Sequence, residues 1–314
     1  MAEHYLDDSA IHQVWDNSIA PRVEIEPGDT VIFECREASN GDLTANSVLQ
    51  DLINRKDKKD PVLGHPLTGP VFVKGAQPGD TLVVEILNFE HQGWGWNCHT
   101  PGFGLLQEEF DFPYLQLWKL DGDSCFFADA DLVEVPFEPF CGVMGVAPAA
   151  SGPISTGPPS FHGGNMDIRG LVAGATLHLP VHVEGALFST ADCHAAQGDG
   201  EVSGTGIESS MTVTMRFDLR KGANLQEPQF FTPSPLTKTD TKGYFATTAH
   251  GPELFINSQY AVRYMIDWLE AENGFSRSQA YCLCSAAADL KISEIVDAPN
   301  WVVSCYLPLS VLRM

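Results

Sequence analysis

The chain has 314 residues, enough for about two average domains or one large all-β unit, and 44% of them are hydrophobic, so it folds around a core. Its 18 Lys and Arg against 41 Asp and Glu leave a formal net charge of −23. That balance excludes the basic footprint of a nucleic-acid binder and disfavours anionic membranes and strongly acidic substrates, while a neutral small molecule or a cation is tolerated.

In chain order, Met1 to Asp8 is polar and acidic, so neither an export signal nor, with no long apolar run elsewhere, a membrane span is expected. Val23 to Cys35 reads as two short strands around Pro27-Gly28-Asp29, with Val31, Phe33 and Cys35 alternating. Asn46 to Asn54 suits a short helix, and Arg55 to Asp60 a solvated charged loop. Gly69 to Glu90 repeats the strand-turn-strand grammar around Gln77-Pro78-Gly79-Asp80, and Leu171 to Glu184 repeats it again. Turns followed by half-buried strands at irregular intervals predict a β-sandwich or barrel. Gly222 to Gly251, polar and carrying Pro228, Pro233 and Pro235, reads as a linker or crossing. Beyond it, Val262, Met265, Ile266 and Leu269 give Ser258 to Asn273 helical spacing, with Gly274 as its stop. Ser276 and Gln279 form a capping box for a second helix to about Asp289. Trp301 to Leu307 closes the chain as a strand ended by Pro308. The expectation is a mainly β fold with a C-terminal helical pair, residues 1–314 forming one unit with subregions 1–221 and 222–314.

The eight cysteines include no CxxC pair and are expected to be reduced core residues of a cytoplasmic protein. Metal-capable side chains gather elsewhere. One cluster is His162-Gly163-Gly164-Asn165-Met166-Asp167; the next is Asp192-Cys193-His194-Ala195-Ala196-Gln197-Gly198-Asp199-Gly200-Glu201, with Glu208 beyond it. On a strand, Asp192 and His194 point to one face and Cys193 to the other. Asn165 and Asp167 share the same spacing. Carboxylate plus imidazole suits zinc or a similar divalent ion with a position open for water. The same Asp, Gly and Asn would also simply build turns.

Several ordered segments resemble the acetamidase/formamidase family. They include His12-Gln13-Val14-Trp15-Asp16-Asn17, Leu67-Thr68-Gly69-Pro70-Val71, Pro139-Phe140-Cys141-Gly142-Val143-Met144-Gly145, Gly163-Gly164-Asn165-Met166-Asp167, the run from Asp192 to Glu201, and Gly274-Phe275-Ser276-Arg277-Ser278-Gln279-Ala280-Tyr281. The resemblance implies a cytoplasmic, metal-associated hydrolase of small amides with a mainly β fold; some members open γ-lactams.

With that resemblance, Asp167, Asp192 and His194 are the expected ligands of a divalent metal, zinc favoured, calcium or magnesium the alternatives. Glu201 is the expected proton shuttle, because a carboxylate beside the metal suits that role. Gln197 offers a donor and an acceptor for orienting an amide. Gly164, Asn165 and His99, the last in the aromatic loop Trp94 to Gly104, are expected to bind substrate. His65 is expected at the surface, and His178 and His182 on a strand face. The expected partner is a small neutral amide, with no nucleic acid, no membrane and a homo-oligomeric state. A linear amide hydrolase is the leading reading. A γ-lactam hydrolase and a non-catalytic binding protein with a structural cation remain alternatives, since fold does not fix function.

Overall fold

Thr30–Cys35 buries Val31, Phe33 and Cys35 and leaves the residues between them half-buried, the period-two pattern of a strand with one face on a core. In the computed structural model of the chain, which describes residues 1–58, 64–233, 241–295 and 299–313, that strand belongs to a six-stranded sheet. The order is Glu3–Leu6, Thr30–Cys35, Met211–Arg220, Thr81–His91, Thr176–Pro180, Gln229–Phe231, antiparallel except at the first pair. A second sheet runs Gly163–Asn165, Phe140–Gly145, Phe188–His194, Leu67–Val73, Ile11–His12, with Val23–Ile25 added parallel to Leu67–Val73. Phe188 of the second sheet packs edge-on against Phe33 and Phe217 of the first, at centroid distances of 6.0 and 5.1 Å. Each such ring, fully buried, contributes about 1.5–3 kcal/mol, so this face-to-face seam holds the two sheets as a sandwich.

Two smaller sheets flank it. Trp94–His99, Tyr114–Asp121, Ser124–Phe127 and Val135–Pro136 form an antiparallel four-stranded sheet. Tyr244–Gly251, Trp301–Pro308 and Asp289–Glu294 form a three-stranded one with Trp301–Pro308 in the centre. Helix α1 is Leu49–Lys58, α2 is Leu254–Asn273 and α3 is Arg277–Ala287. Helix α2 lays Ala261, Val262, Met265, Ile266 and Leu269 inward and packs on the three-stranded sheet. It stops at Gly274, whose φ of 75° a side chain would resist. The Ser276–Gln279 capping box starts α3. The mainly β fold with its helical pair is therefore as the sequence indicates.

One local expectation changes and one open alternative narrows. Arg55 to Lys58 is not loop but the last turn of α1, because Leu52 is buried and anchors the helix; residues 59 and 60 lie outside the described residues. The stretch from Gly222 to Gly251 is a crossing, not a linker. Gln229–Phe231 joins the large sheet and Tyr244–Gly251 pairs with the closing strand, while residues 234–240 lie outside the described residues. All eight cysteines are buried free thiols. No helix among the described residues is long and apolar enough to cross a membrane.

Candidate active site

Strand Phe188–His194 lies antiparallel to Phe140–Gly145, with His194 opposite Phe140 and Cys193 opposite Cys141. Alternation puts Cys193 into the core, 3.6 Å from the Cys141 sulfur, and turns Asp192 and His194 to the other side. Asp192 has a φ of 59°, Asp167 of 49° and Glu201 of 42°. Three acids in left-handed backbone, at about 1–3 kcal/mol each, are held there by surrounding structure and converge on one imidazole.

His194 Nε2 lies 3.1 Å from Glu208 Oε1, 3.6 Å from Asp192 Oδ2 and 4.0 Å from Glu201 Oε1. Its other nitrogen, Nδ1, is 2.8 Å from Gln197 Oε1, and Gln197 Nε2 donates to the Asp167 carbonyl at 2.9 Å. With the amide so oriented, Gln197 presents an acceptor, so Nδ1 carries the proton and Nε2 is left with its lone pair toward the carboxylates. Asp167 Oδ1, Asp192 Oδ1, His194 Nε2 and Glu208 Oε2 are all buried without an aligned hydrogen-bond partner. Asp167, His194 and Glu201 form one group able to converge on a cation, and Asp192, His194 and Glu208 a second, sharing the same histidine. Buried donor atoms left unpaired in this way fit a metal ion, because leaving them so is costly.

Electrostatics agrees. Burial, reinforced by Asp192, pushes Asp167 up to about 6 and Glu208 up to about 8. Burial and Asp167 push Glu201 well above the carboxylate range. Burial opposes ionisation of Asp192 too, but the His65 and His194 imidazoles overcome it and hold that carboxyl low. Burial likewise opposes charge on His194, yet Glu208 and Asp192 raise its affinity for a second proton well above the ordinary value; the Nε2 lone pair thus faces a strongly cation-attracting environment that either that proton or a metal ion would satisfy. Four carboxylates crowd two imidazoles, and a dipositive ion would relieve the surplus negative charge.

Glycine makes the crowding feasible. A Cβ on Gly142, which faces Asp192 across the strand pair, would stand 2.5 Å from Asp167 Oδ1 and 2.9 Å from Asp192 Oδ2. Gly142→Ala should therefore keep the fold but splay the two carboxylates. We expect divalent-ion affinity to fall by about 10- to 100-fold, the usual worth of groups that orient ligands, read by metal titration beside a melting curve.

The acids open on a cavity of about 500 Å³. Asp192, Glu201 and Glu208 line one part, and Leu52, Trp96, Cys98 and Phe103 provide apolar wall. Asn165 lines it, with Oδ1 buried and unpartnered. Gly164 does not line it. A Cβ there would instead meet Trp15 Nε1 and His162 Nε2, both at 3.6 Å. Gln197 has both ends of its amide engaged by protein groups, which directs it to fixing His194 rather than to holding substrate.

His99 is a correction. Trp96 and Cys98 face the cavity, so strand alternation turns His99 away, into an aromatic nest of Phe110, Phe112, Tyr114 and Tyr281 with its Nε2 3.1 Å from Ser278 Oγ. Burial lowers its pKa to about 4. Since the folded value lies below the unfolded one, its neutral form supports the fold above about pH 6.5, and that support fades as pH falls toward 4. We expect urea melts to lose about 2–3 kcal/mol over this window from His99, and His99→Gln to flatten that part of the profile relative to wild type.

His65 is the opposite correction. It is not a surface residue but lines the cavity, 3.6 Å from Asp192 Oδ2, its backbone N–H donating to Thr156 Oγ1 at 2.7 Å. Arg55 and Gly142 also belong to the site region; Arg55 carries no motif, and Gly142 is marked only by lying in the resembling segment Pro139 to Gly145, its place opposite Asp192 coming from the strand pairing.

A family model described as the Acetamidase/Formamidase family matches residues 2–154 and 149–314. The formamidase of Methylophilus methylotrophus is 27% identical over 98% of this chain and 90% of its own length. The acetamidase of Mycolicibacterium smegmatis is 28% identical over 69% of this chain and 68% of its own. Among solved structures, a gamma lactamase from Delftia acidovorans superposes with a TM-score of 0.90 at 25% identity, covering 99% of this chain and 94% of that one. An acetamidase from Bacillus halodurans gives a TM-score of 0.67 at 32% identity, covering 97% of each chain.

Proposed function

Because the chain belongs to the acetamidase/formamidase family and is an amidase, we propose that it hydrolyses small linear amides with the help of a divalent metal ion, zinc favoured, held at His194. The observation that carries the metal is the set of buried, unpartnered donor atoms on Asp167, Asp192, His194 and Glu208. His194, Asp192 and Glu208 would hold the ion, with Asp167 in a second group that shares His194; the imidazole favours zinc, and the oxygen-rich remainder leaves calcium or magnesium as alternatives. When bound, such an ion acidifies water and polarises a carbonyl.

The protein's own groups supply the rest. Gln197 keeps the Nδ1 proton of His194 in place. Glu201 accepts the proton of the attacking water and returns it to the leaving nitrogen as the C–N bond breaks and the new C–O bond forms. Asn165 Oδ1 accepts a hydrogen bond from the substrate N–H. The products are a carboxylate and ammonia.

A cyclic substrate is the second reading, favoured by the TM-score of 0.90 to the gamma lactamase against 0.67 to the acetamidase and by a cavity of about 500 Å³, larger than formamide requires. The two readings differ in one product, since ring opening of a lactam releases no ammonia. Purified protein should contain a stoichiometric divalent ion and release ammonia from formamide or acetamide until a chelator is added. Ring opening of a γ-lactam without turnover of either linear amide would transfer the assignment to the cyclic class. Protein free of divalent ion whose activity survives chelation would remove the metal.

A further inference from the structure

Arg55 lines the cavity and carries a charge opposite to that of a carboxylate. It projects from α1 one turn after Leu52, and both side chains line the cavity that Asp192, Glu201 and Glu208 also line. Its guanidinium lies over the Trp96 ring, 5.4 Å from the centroid, and Nη2 donates to the Ala38 carbonyl at 2.6 Å. Trp96 is in turn bonded to Glu208 through both backbone groups, at 3.0 and 2.8 Å, and its indole Nε1 donates to Glu37 Oε2 at 2.9 Å, so the residue under the guanidinium is also the backbone neighbour of one acid of the cluster. Most other arginines of this acidic chain sit against a carboxylate, including Arg22, Arg36, Arg169 and Arg216. Among the residues whose side chains are described, Arg55 has no carboxylate partner and one hydrogen bond, to the Ala38 carbonyl, for a group that has five N–H donors.

Given the amidase reading of this cavity, on which this role rests, the geometry points to Arg55 as a specificity residue that receives a second oxygen acceptor on the acyl side of the substrate, so that amides ending in a carboxylate or a second carboxamide are preferred to those ending in a methyl group. With the amide at the acid cluster, the second acceptor would meet the guanidinium across the same cavity. A planar fork of donors held on an aromatic face is suited to such a group. The bond changes are those of amide hydrolysis: water oxygen joins the carbonyl carbon and the C–N bond breaks, giving a dicarboxylate or its half-amide, and ammonia.

Three substrates of matched length separate the sources of the acceptor: butyramide has none, succinamide a neutral one and succinamate a charged one. With metal-loaded wild type, kcat/KM for succinamide or succinamate should exceed that for butyramide by about 10- to 100-fold, the worth of a charge-assisted hydrogen bond. Arg55→Met should erase that ratio, mainly through KM, and Arg55→Lys should restore part of it. A wild type that turns over butyramide as well as both others overturns the inference, as does a ratio that Arg55→Met leaves intact. If Arg55→Met fails to melt cooperatively, the wild-type ratio and Arg55→Lys decide. Calorimetric titration with succinate and butyrate supplies a readout independent of turnover. Hydrolysis of none of the three amides would sink the amidase premise, whereas equal binding of succinate to wild type and Arg55→Met would sink the role of Arg55 alone.

Discussion

His194→Ala is expected to abolish stoichiometric metal binding and lower kcat/KM by about a thousandfold or more. His194 is the residue that both candidate ligand groups share, and removing its imidazole leaves carboxylates that repel one another. An ion's stabilisation of charge in the transition state is worth several kcal/mol, and about 4 kcal/mol corresponds to a thousandfold in rate. Cys193→Ala is the paired control. Its sulfur faces Cys141 in the core, so it should cost about 1–2 kcal/mol of stability and spare both metal and turnover. Elemental analysis of the two variants beside wild type reads the outcome. Metal lost from Cys193→Ala and retained by His194→Ala would mean that the imidazole does not hold the ion.

The contrast between those neighbouring residues was legible from sequence because it depends only on the period of a strand. So was the local punctuation: Gly274 ending α2 and Ser276 starting α3 depend on residues within one turn. What sequence did not reveal came from long-range pairing. Glu208 reaches His194 because an isolated bridge joins their backbones. His65 reaches Asp192 from the approach to Leu67–Val73, a strand that pairs with Phe188–His194. Arg55 looked like solvated charge because its neighbours are lysines and aspartates, and only the burial of Leu52 turns that stretch into a helix over the cavity. His99 failed for the inverse reason. Its aromatic, glycine-rich surroundings suggested a pocket wall, but wall and core alternate along Trp94–His99, and His99 falls on the core side with Asn97, whose amide donates to the Cys282 carbonyl.

Glu201→Gln should retain the metal and lower kcat by about a hundredfold or more, the range typical of general acid–base catalysis. Asp192, Glu201 and Glu208 all line the cavity, but the side chains of Asp192 and Glu208 are only 4% and 2% exposed, whereas that of Glu201 is 21% exposed. It is the one of these three with room to meet a substrate. Its backbone is fixed at a φ of 42°, and the loop around it is tied to α3 where Gly198 N–H donates to the Ser285 carbonyl. Glutamine preserves the length and the hydrogen-bonding oxygen but cannot take a proton from water and hand it to the leaving nitrogen. Proton transfer belongs to the transition state, so the loss should fall on kcat with KM little changed. Burial and the nearby Asp167 raise the Glu201 proton affinity, which helps it hold the proton between its uptake from water and its return to the leaving nitrogen. An unchanged kcat in Glu201→Gln would make the carboxylate structural. Loss of the metal along with turnover would instead make it a ligand in the group with Asp167 and His194, and the proton shuttle would then pass to Glu208.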